Sequence, residues 1–269
     1  MMDISGKRIV ITGGSSGIGL AMAQILGGKG AKLLLTGRRA ERLVTAASEL
    51  RALGVEAQVL AADVATDDGR AKTLDTARER LGGIDILINN AGGVRAGRLD
   101  DTTEAEIRAM IEVDLIAPIL LTRAALPDLR HSGQGLVVNV TSGIALIGVP
   151  FYATYAAVKA GLARFGEALR RELKGEGVHV MTAYPGATDT PMMATNLAGP
   201  ELGFNREPAS TVAAAIVEAI ESDQMDVVRG GEARAKMVTL NREDPGALDE
   251  RFLGVKPALE AAVRHHSAL

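Results

Sequence analysis

Short apolar segments alternate with longer amphipathic segments along this chain, and this alternation restricts its fold more than any other feature. Most of the short segments are apolar at successive positions, which is typical of strands in a sheet covered on both faces. Seven of them are interpreted as strands: Ile9–Ile11, Leu33–Leu35, Val59–Leu60, Ile86–Ile88, Leu136–Val140, Val178–Ala183 and Asp226–Val228. The amphipathic segments predict helices over residues 17–28, 39–53, 67–81, 104–130, 152–174 and 209–222.

Strands that alternate with helices pair in parallel through right-handed crossovers. We therefore predict an α/β fold, a Rossmann-type doubly wound parallel sheet of about seven strands with helices on both faces. The capping-box pattern Thr103-Glu-Ala-Glu106 predicts the start of the fourth helix. No repeat or linker interrupts the pattern, so residues 1–269 are expected to form a single domain.

Two segments lie outside the alternation. Residues 189–208 contain three prolines, two glycines and two adjacent methionines, so we expect a mobile substrate loop that covers a site. Residues 246–267 form an amphipathic C-terminal segment. For this segment, docking on its own domain and packing at a subunit interface are equally compatible with the pattern.

Composition excludes several classes of site and partner. The chain has no cysteine, which rules out disulfides and thiolate chemistry, and its four histidines show no ligand spacing, so no metal site is expected. A formal charge of −3 and 3% aromatic residues argue against nucleic-acid binding. No apolar run approaches the ~20 residues that span a bilayer. The N-terminus lacks a signal-peptide pattern, so we expect a cytoplasmic protein without a membrane partner.

A glycine-rich loop, Thr12-Gly-Gly-Ser-Ser-Gly-Ile-Gly19, follows the first predicted strand and leads directly into a helix. Its glycines permit a tight turn, a close approach of the backbone to a pyrophosphate, and close packing of the helix. The helix N-terminus attracts phosphate groups. This position in the first βα turn predicts a dinucleotide site that includes Gly13, Ser15, Ser16, Gly17, Ile18 and Gly19.

The residues after the second strand favour NADP(H) over NAD(H). An NAD site would place an acidic residue about 20 positions beyond the loop, on the adenine ribose. Here that place holds Arg38, followed by Arg39. A guanidinium matches the 2′-phosphate of NADP(H), whereas a carboxylate would repel it. The alternative is a solvated arginine at the start of a helix.

Ser142, Tyr155 and Lys159 form the candidate catalytic set. Tyr155 and Lys159 lie four positions apart, so they share one face of a helix. An ammonium within about 4–6 Å of a phenol lowers the phenol's pKa toward the working pH. A serine hydroxyl at the same point would hold a carbonyl oxygen while the tyrosine transfers a proton. The alternative is that Tyr155 and Lys159 are a chance pair on the surface of a helix. The other motifs of the chain are needed to distinguish the two interpretations.

Taken together, these motifs resemble those of the classical short-chain dehydrogenase/reductase family, and the likeness covers nearly the whole chain. The loop at 12–19 resembles the family's TGxxxGxG motif, and Ser142, Tyr155 and Lys159 have the spacing of its catalytic serine and YxxxK motif. Three further segments resemble its adenine-contacting pair, its NNAG motif and its PG segment beside the nicotinamide: Asp63-Val64, Asn89-Asn-Ala-Gly92 and Pro185-Gly-Ala-Thr-Asp-Thr190.

The resemblance implies a role for each matching residue. Tyr155 would be the acid/base, Lys159 would lower its pKa and bind the nicotinamide ribose, and Ser142 would polarise the substrate oxygen. The cofactor would also contact Tyr155, Asp63, Val64, Asn90, Ala91, Gly92, Pro185, Gly186, Thr188 and Thr190.

Asp114 departs from the family pattern, which usually has asparagine in the helix after the fourth strand. The backbone carbonyl of that asparagine holds a water that extends the proton relay from the lysine. An aspartate keeps the carbonyl, so Asp114 is included in the catalytic set, and its carboxylate is expected to alter the helix or reach a different partner. The tail over residues 233–269 resembles the DltE-like subgroup of these oxidoreductases.

The resemblance implies an oxidoreductase that transfers a hydride between NADP(H) and a carbonyl or secondary alcohol of a small or medium-sized organic substrate. The alternative is an NADP-binding regulatory or scaffold protein of the same fold. By analogy with the family, a homodimer or homotetramer is expected. Flanking residues are candidates for the substrate pocket, with Arg95 and Tyr152 as polar handles: Val94, Arg95, Ile144, Leu146, Tyr152, Met192 and Met193.

Overall fold

The computed structural model describes residues 2–269, and a parallel sheet of seven strands forms its centre. The strands in chain order are β1 Arg8–Thr12, β2 Lys32–Gly37, β3 Ala57–Ala61, β4 Ile86–Asn89, β5 Gly135–Val140, β6 Val178–Tyr184, β7 Thr188–Asp189, β8 Glu207–Pro208 and β9 Asp226–Val228. The central sheet has the order β3-β2-β1-β4-β5-β6-β9, while β7 and β8 form a separate pair. All seven predicted strands belong to the central sheet, so the doubly wound fold is confirmed.

Helices cover both faces of this sheet. They are α1 Gly17–Gly28, α2 Ala40–Ala52, α3 Asp67–Leu81, α4 Glu104–Ile111, α5 Ala117–His131, α6 Ala153–Glu172, α7 Ala209–Glu221, α8 Gly231–Glu243 and α9 Pro245–Val263. Successive strand residues point to opposite faces, so Ile9 and Ile11 pack in the core beneath α1 and α7 while Val10 packs beneath α3 and α5. Fully burying one such side chain contributes roughly 1.5–3 kcal/mol.

The strand order reverses between β1 and β4, and this reversal sets the position of a binding crevice. From β1 the chain proceeds outward to β2 and β3, then returns to β4 on the other side of β1. The loops at the carboxyl ends of β1 and β4 therefore diverge, and a crevice opens between them. The glycine-rich loop and the Asn89-Asn-Ala-Gly92 turn both lie at this point.

The predicted helix over residues 104–130 begins as expected but is interrupted. Glu106 N–H donates to Thr103 Oγ1 at 3.2 Å and Thr103 N–H donates to Glu106 Oε2 at 2.8 Å, which confirms the capping box. Residues Glu112–Ile116 then form a π-helical turn between α4 and α5. Pro118 contributes to this interruption because it has no N–H to donate to the carbonyl of Asp114, four residues earlier.

The C-terminal segment docks on its own chain. Leu259 and Val263 of α9 are buried in a cluster with Val94, Ile144 and Tyr152. Beyond α9 the chain pairs with the segment that follows β4: Ala96 N–H donates to the carbonyl of His266 at 2.9 Å, and Ala268 N–H donates to that of Val94 at 2.8 Å. Within residues 2–269, none of the helices combines the length and apolarity needed to cross a bilayer.

Candidate active site

The glycine-rich loop joins β1 to α1 and packs tightly against the turn after β4. Gly13 has a φ of +65°, and a side chain there would place its Cβ 2.9 Å from Ala91 Cα. A Cβ at Gly19 would lie 2.5 Å from the carbonyl oxygen of Gly13. Both contacts are too short for any side chain, so glycine at these positions keeps the N-terminus of α1 close to the loop.

Asn90 and Thr12 hold this loop in place. The Asn90 side-chain amide donates to the carbonyls of Thr12 at 2.9 Å and Gly13 at 3.1 Å. The backbone N–H groups of Asn90 and Ala91 both donate to Thr12 Oγ1 at 3.0 Å. The loop is therefore preorganised by neighbouring residues, and the cradle without Cβ atoms fits the pyrophosphate of a dinucleotide.

The end of β2 completes the far side of the crevice. A Cβ at Gly37 would lie 3.3 Å from Ser15 Oγ, so the glycine-rich loop borders the residues that follow β2. Arg38 and Arg39 are exposed there. Asp63 follows β3 nearby, and its Oδ1 accepts the Ala65 N–H at 3.0 Å, which closes the turn after that strand.

The three candidate catalytic side chains come from the adjoining half of the sheet. Tyr155 and Lys159 lie on α6, and Ser142 follows β5. Lys159 is 4% exposed, and its Nζ lies 5.7 Å from the Tyr155 ring centroid. The Ser142 hydroxyl lies close enough to the phenol to lower its pKa. The structure thus places Ser142, Tyr155 and Lys159 close together although they are apart in the sequence.

Asp114 is ion-paired with Lys159. Its Oδ1 lies 2.9 Å from Lys159 Nζ, and the side chain is 0% exposed. Its two carboxylate oxygens also accept the Gly93 N–H at 3.3 and 3.2 Å. A Cβ at Gly92 would lie 2.5 Å from Asp114 Oδ1, so this glycine makes room for the carboxylate. Of the two outcomes expected for this carboxylate, the structure shows both a different partner and a locally altered helix.

The pair changes the electrostatics at Tyr155. Burial raises the pKa of the Tyr155 phenol, Lys159 lowers it, and Asp114 raises it, with a net result above the ordinary value. The expectation of a lowered phenol pKa is therefore wrong in net direction, because burial and the carboxylate outweigh the ammonium. Burial lowers the pKa of Lys159, but Asp114 and Tyr155 raise it, and their effect prevails.

The segment from Pro185 to Thr190 connects the two halves of the crevice. The carbonyl of Pro185 accepts the Gly143 N–H at 2.7 Å, beside Ser142. Thr188 Oγ1 donates to the carbonyl of Gly186 at 3.0 Å. A Cβ at Gly17 would lie 2.9 Å from the Thr190 methyl group, so this segment reaches the glycine-rich loop.

Most of the candidate pocket residues belong to an apolar cluster. The two polar groups among them, the Tyr152 hydroxyl and the Arg95 guanidinium, already have hydrogen-bond or ion-pair partners within the protein. Val94, Ile144 and Tyr152 are buried and Met192 packs against them, while Leu146 and Met193 are half-buried. The Tyr152 hydroxyl accepts a hydrogen bond from Asn196 Nδ2 at 2.8 Å.

Arg95 forms an ion pair with Glu106, with 2.9 Å between Nε and Oε1, and also donates to the carbonyl of Arg264 at 3.1 Å. These protein partners argue against Arg95 and Tyr152 as polar handles for substrate.

Sequence reasoning missed Asn196, His266 and Arg234 near this site. Asn196 and His266 are 2% and 1% exposed and contact Tyr152, the former by a hydrogen bond and the latter by its ring. They lie far apart in sequence, and no local pattern connects them. Arg234 lies on α8, a helix absent from the prediction, and the adjacent glycines Gly230 and Gly231 were the available signal of a chain turn before it.

Comparison with known proteins decides the family. The family model described as short chain dehydrogenase matches residues 7–200. The chain belongs to this family. This short-chain dehydrogenase is 33% identical over 230 residues to the ketoacyl reductase HetN of a Nostoc species, covering 85% of this chain and 80% of HetN. It is 37% identical to a short chain dehydrogenase of Pseudocercospora fijiensis, covering 71% of this chain but only 63% of that protein.

Solved structures give the same assignment. A short chain dehydrogenase from Burkholderia cenocepacia in complex with NADP is 33% identical, with a TM-score of 0.75, and the match covers 84% of this chain and 97% of that one. A short chain dehydrogenase/reductase from Burkholderia phymatum in complex with NAD is 25% identical, with a TM-score of 0.83, covering 92% and 97%. Short-chain dehydrogenases of this fold thus include one that binds NADP and another that binds NAD.

Proposed function

We propose that this chain is an NADP(H)-dependent oxidoreductase that interconverts a carbonyl and a secondary alcohol on a small or medium-sized organic substrate. The observation that carries the proposal is the convergence of Ser142, Tyr155 and Lys159 beside a preorganised dinucleotide crevice. The reductase name of HetN agrees with this class of reaction.

Tyr155 is the proton carrier in this mechanism. The Ser142 hydroxyl holds the substrate oxygen, and the Tyr155 hydroxyl donates its proton to that oxygen during reduction and accepts it back during oxidation. NADP(H), when bound, supplies or accepts the hydride. The phenol is protonated at neutral pH and so holds the proton that it donates. Burial and Asp114 raise its pKa and make it a weaker acid, and Lys159 and Ser142 oppose this effect.

Lys159 acts on Tyr155 directly, and Asp114 acts by positioning Lys159. The Lys159 ammonium favours the tyrosinate that forms when the proton leaves, and Asp114 holds this ammonium at 2.9 Å. The carbonyl of Asp114 lacks the usual helical donor because residue 118 is proline. We assign this carbonyl to the relay that returns a proton to Tyr155 through Lys159.

Arg38, Arg39 and Ser15 would bind the 2′-phosphate of NADP(H). Replacing Arg38 with alanine is expected to weaken NADPH binding by about 10–100-fold, since hydrogen bonds to charged groups contribute roughly 1.5–3 kcal/mol. NADH affinity should stay nearly constant because NADH has no 2′-phosphate. Calorimetric titration of both cofactors measures the difference, and Arg42→Ala, which removes an exposed arginine within α2, is the matched control. An equal loss for both cofactors would contradict the assignment.

Two finer features belong to this proposal. The tail over residues 233–269 supports placement in the DltE-like subgroup. By analogy with the family, the protein forms a homodimer or homotetramer.

A substrate screen tests the proposed function. Purified protein with NADPH or NADP⁺ is mixed with a broad set of ketones, aldehydes and secondary alcohols, and NADPH absorbance is followed. A turnover with at least one carbonyl or alcohol is expected. Tight NADPH binding with no absorbance change across the set would overturn the proposal and favour a regulatory or scaffold protein of the same fold.

A further inference from the structure

A guanidinium to which the proposed chemistry gives no role lies against the residue that follows Ser142. Arg234 is in the first turn of α8, and its side chain extends to Gly143, the residue after Ser142. A Cβ at Gly143 would lie 2.6 Å from Arg234 Cζ and 2.7 and 2.8 Å from its terminal nitrogens. The guanidinium therefore rests directly on the backbone of Gly143, in space that any other residue type would fill.

A second glycine, Gly230, makes room for the part of the Arg234 side chain nearest its backbone. A Cβ at Gly230 would lie 3.0 Å from Arg234 Cβ and 3.2 Å from its Nε. Gly230 has a φ of +106°, a conformation that side chains other than glycine rarely adopt. The arginine side chain is thus held between two glycines, and the position of its charged end is defined by the fold.

The charge of Arg234 has no counter-ion among the residues that the structure describes. Arg229, which follows β9, pairs with Glu207 at 2.5 Å, and Arg95 pairs with Glu106. By contrast, no residue between positions 2 and 269 forms an ion pair or hydrogen bond with the half-buried guanidinium of Arg234. Burial lowers the pKa of Arg234, and no carboxylate opposes this effect. A guanidinium presents five N–H donors, and removing it from water without a partner is unfavourable.

The location of this unpaired cation indicates its partner. Gly143 N–H donates to the carbonyl of Pro185, so the guanidinium lies at the carboxyl ends of β5 and β6. Gly143 directly follows Ser142, so the guanidinium lies one residue along the chain from the hydroxyl that is proposed to hold the substrate oxygen. Guanidinium groups bind carboxylates and phosphates through two parallel hydrogen bonds.

We propose that Arg234 binds an anionic group, a carboxylate or a phosphate, on the carbonyl substrate of this enzyme. This inference rests on the function proposed above. Arg234 is then a specificity-determining residue, because it distinguishes charged substrates from neutral ones with the same reacting carbonyl.

Matched substrate pairs test this assignment. Glyoxylate, succinic semialdehyde and 4-formylbenzoate are each compared with their methyl esters, and dihydroxyacetone phosphate is compared with dihydroxyacetone, all with saturating NADPH. For wild type we expect kcat/KM to favour the anionic member of at least one pair by about 10–100-fold. Arg234→Met should remove this preference while leaving rates on the neutral members nearly unchanged, and Arg234→Lys should retain part of it. The carboxylate and phosphate pairs identify which anion is bound.

Arg242→Met is the control, since it removes an exposed arginine from the same helix and should keep the preference. Turnover without any preference for the anion, or a preference that survives Arg234→Met, would overturn the inference and leave the proposed function standing. A change in oligomer mass on Arg234→Met, with substrate preference intact, would assign the counter-ion to a second copy of the chain and would also overturn it.

A binding measurement separates the two proposals. Benzoate and inorganic phosphate are titrated calorimetrically into the protein saturated with NADP⁺, which occupies the 2′-phosphate site. Binding of either anion to wild type and its loss in Arg234→Met would support the anion site even if no carbonyl were reduced. If neither anion binds and no pair shows a preference, the inference is wrong.

Discussion

Replacing Tyr155 with phenylalanine is expected to lower kcat/KM for carbonyl reduction by about 10²–10⁴-fold, the range that general acid catalysis provides. Phenylalanine keeps the ring on α6 and removes only the hydroxyl that faces Ser142. The NADPH dissociation constant should change little, because the crevice is held by Thr12, Asn90 and the glycine-rich loop. Steady-state kinetics on a substrate from the screen, with a calorimetric titration of NADPH, measures both effects.

The matched control for this prediction is Tyr184→Phe. Tyr184 ends β6, and its hydroxyl lies beside Asp226, so the variant removes a phenol hydroxyl that does not face Ser142. It should retain wild-type rates. Near-normal turnover by Tyr155→Phe would show that another group or solvent protonates the substrate oxygen, and the proposed mechanism would be wrong. A parallel loss of NADPH affinity would instead indicate a damaged crevice.

The sequence predicts the central sheet well because each strand is buried on both faces. Residues such as Ile9, Val10 and Ile11 must all be apolar when helices cover both sides, so the runs stand out against the amphipathic segments. The glycine-rich loop is similarly predictable, since a close backbone approach at Gly13 and Gly19 excludes every other residue type. In both cases the physical requirement acts on consecutive or nearby residues.

Features that depend on distant contacts could not be read in this way. The charge of Lys159 is paired with the carboxylate of Asp114, which lies 45 positions earlier in the sequence. This pairing depends on a π-helical turn that directs the carboxylate inward. The sequence-based interpretation considered only the ammonium and predicted the opposite net shift at Tyr155. Helix α8 was missed because it has no buried residue and hence no apolar stripe.

Replacing Lys159 with methionine is expected to lower the free energy of unfolding by about 3–5 kcal/mol, the usual cost of leaving one member of a buried ion pair uncompensated. Asp114 is 0% exposed and would keep only the Gly93 N–H as a polar partner. Urea unfolding at neutral pH and fixed protein concentration measures the loss. The loss should shrink as pH falls, because burial already raises the pKa of Asp114 and removing the ammonium raises it further. A raised folded-state pKa means that stability is retained at low pH, where the carboxyl is neutral, and lost as pH rises through that value.

The double variant Asp114→Asn with Lys159→Met distinguishes loss of pairing from loss of packing. It removes both charges, so it should be more stable than Lys159→Met alone. Replacing a buried ion pair with uncharged side chains often changes the free energy of unfolding very little. The coupling free energy from the four-protein cycle then measures the interaction between the two side chains. The alternative result is that the losses of unfolding free energy in the two single variants add and do not depend on pH. In that case the methionine at position 159 acts through its shape alone, and the buried charge of Asp114 has another partner. A large coupling would instead show that this protein stabilises its candidate catalytic lysine with a carboxylate, which explains why Gly92 has no side chain at the point where Asp114 approaches.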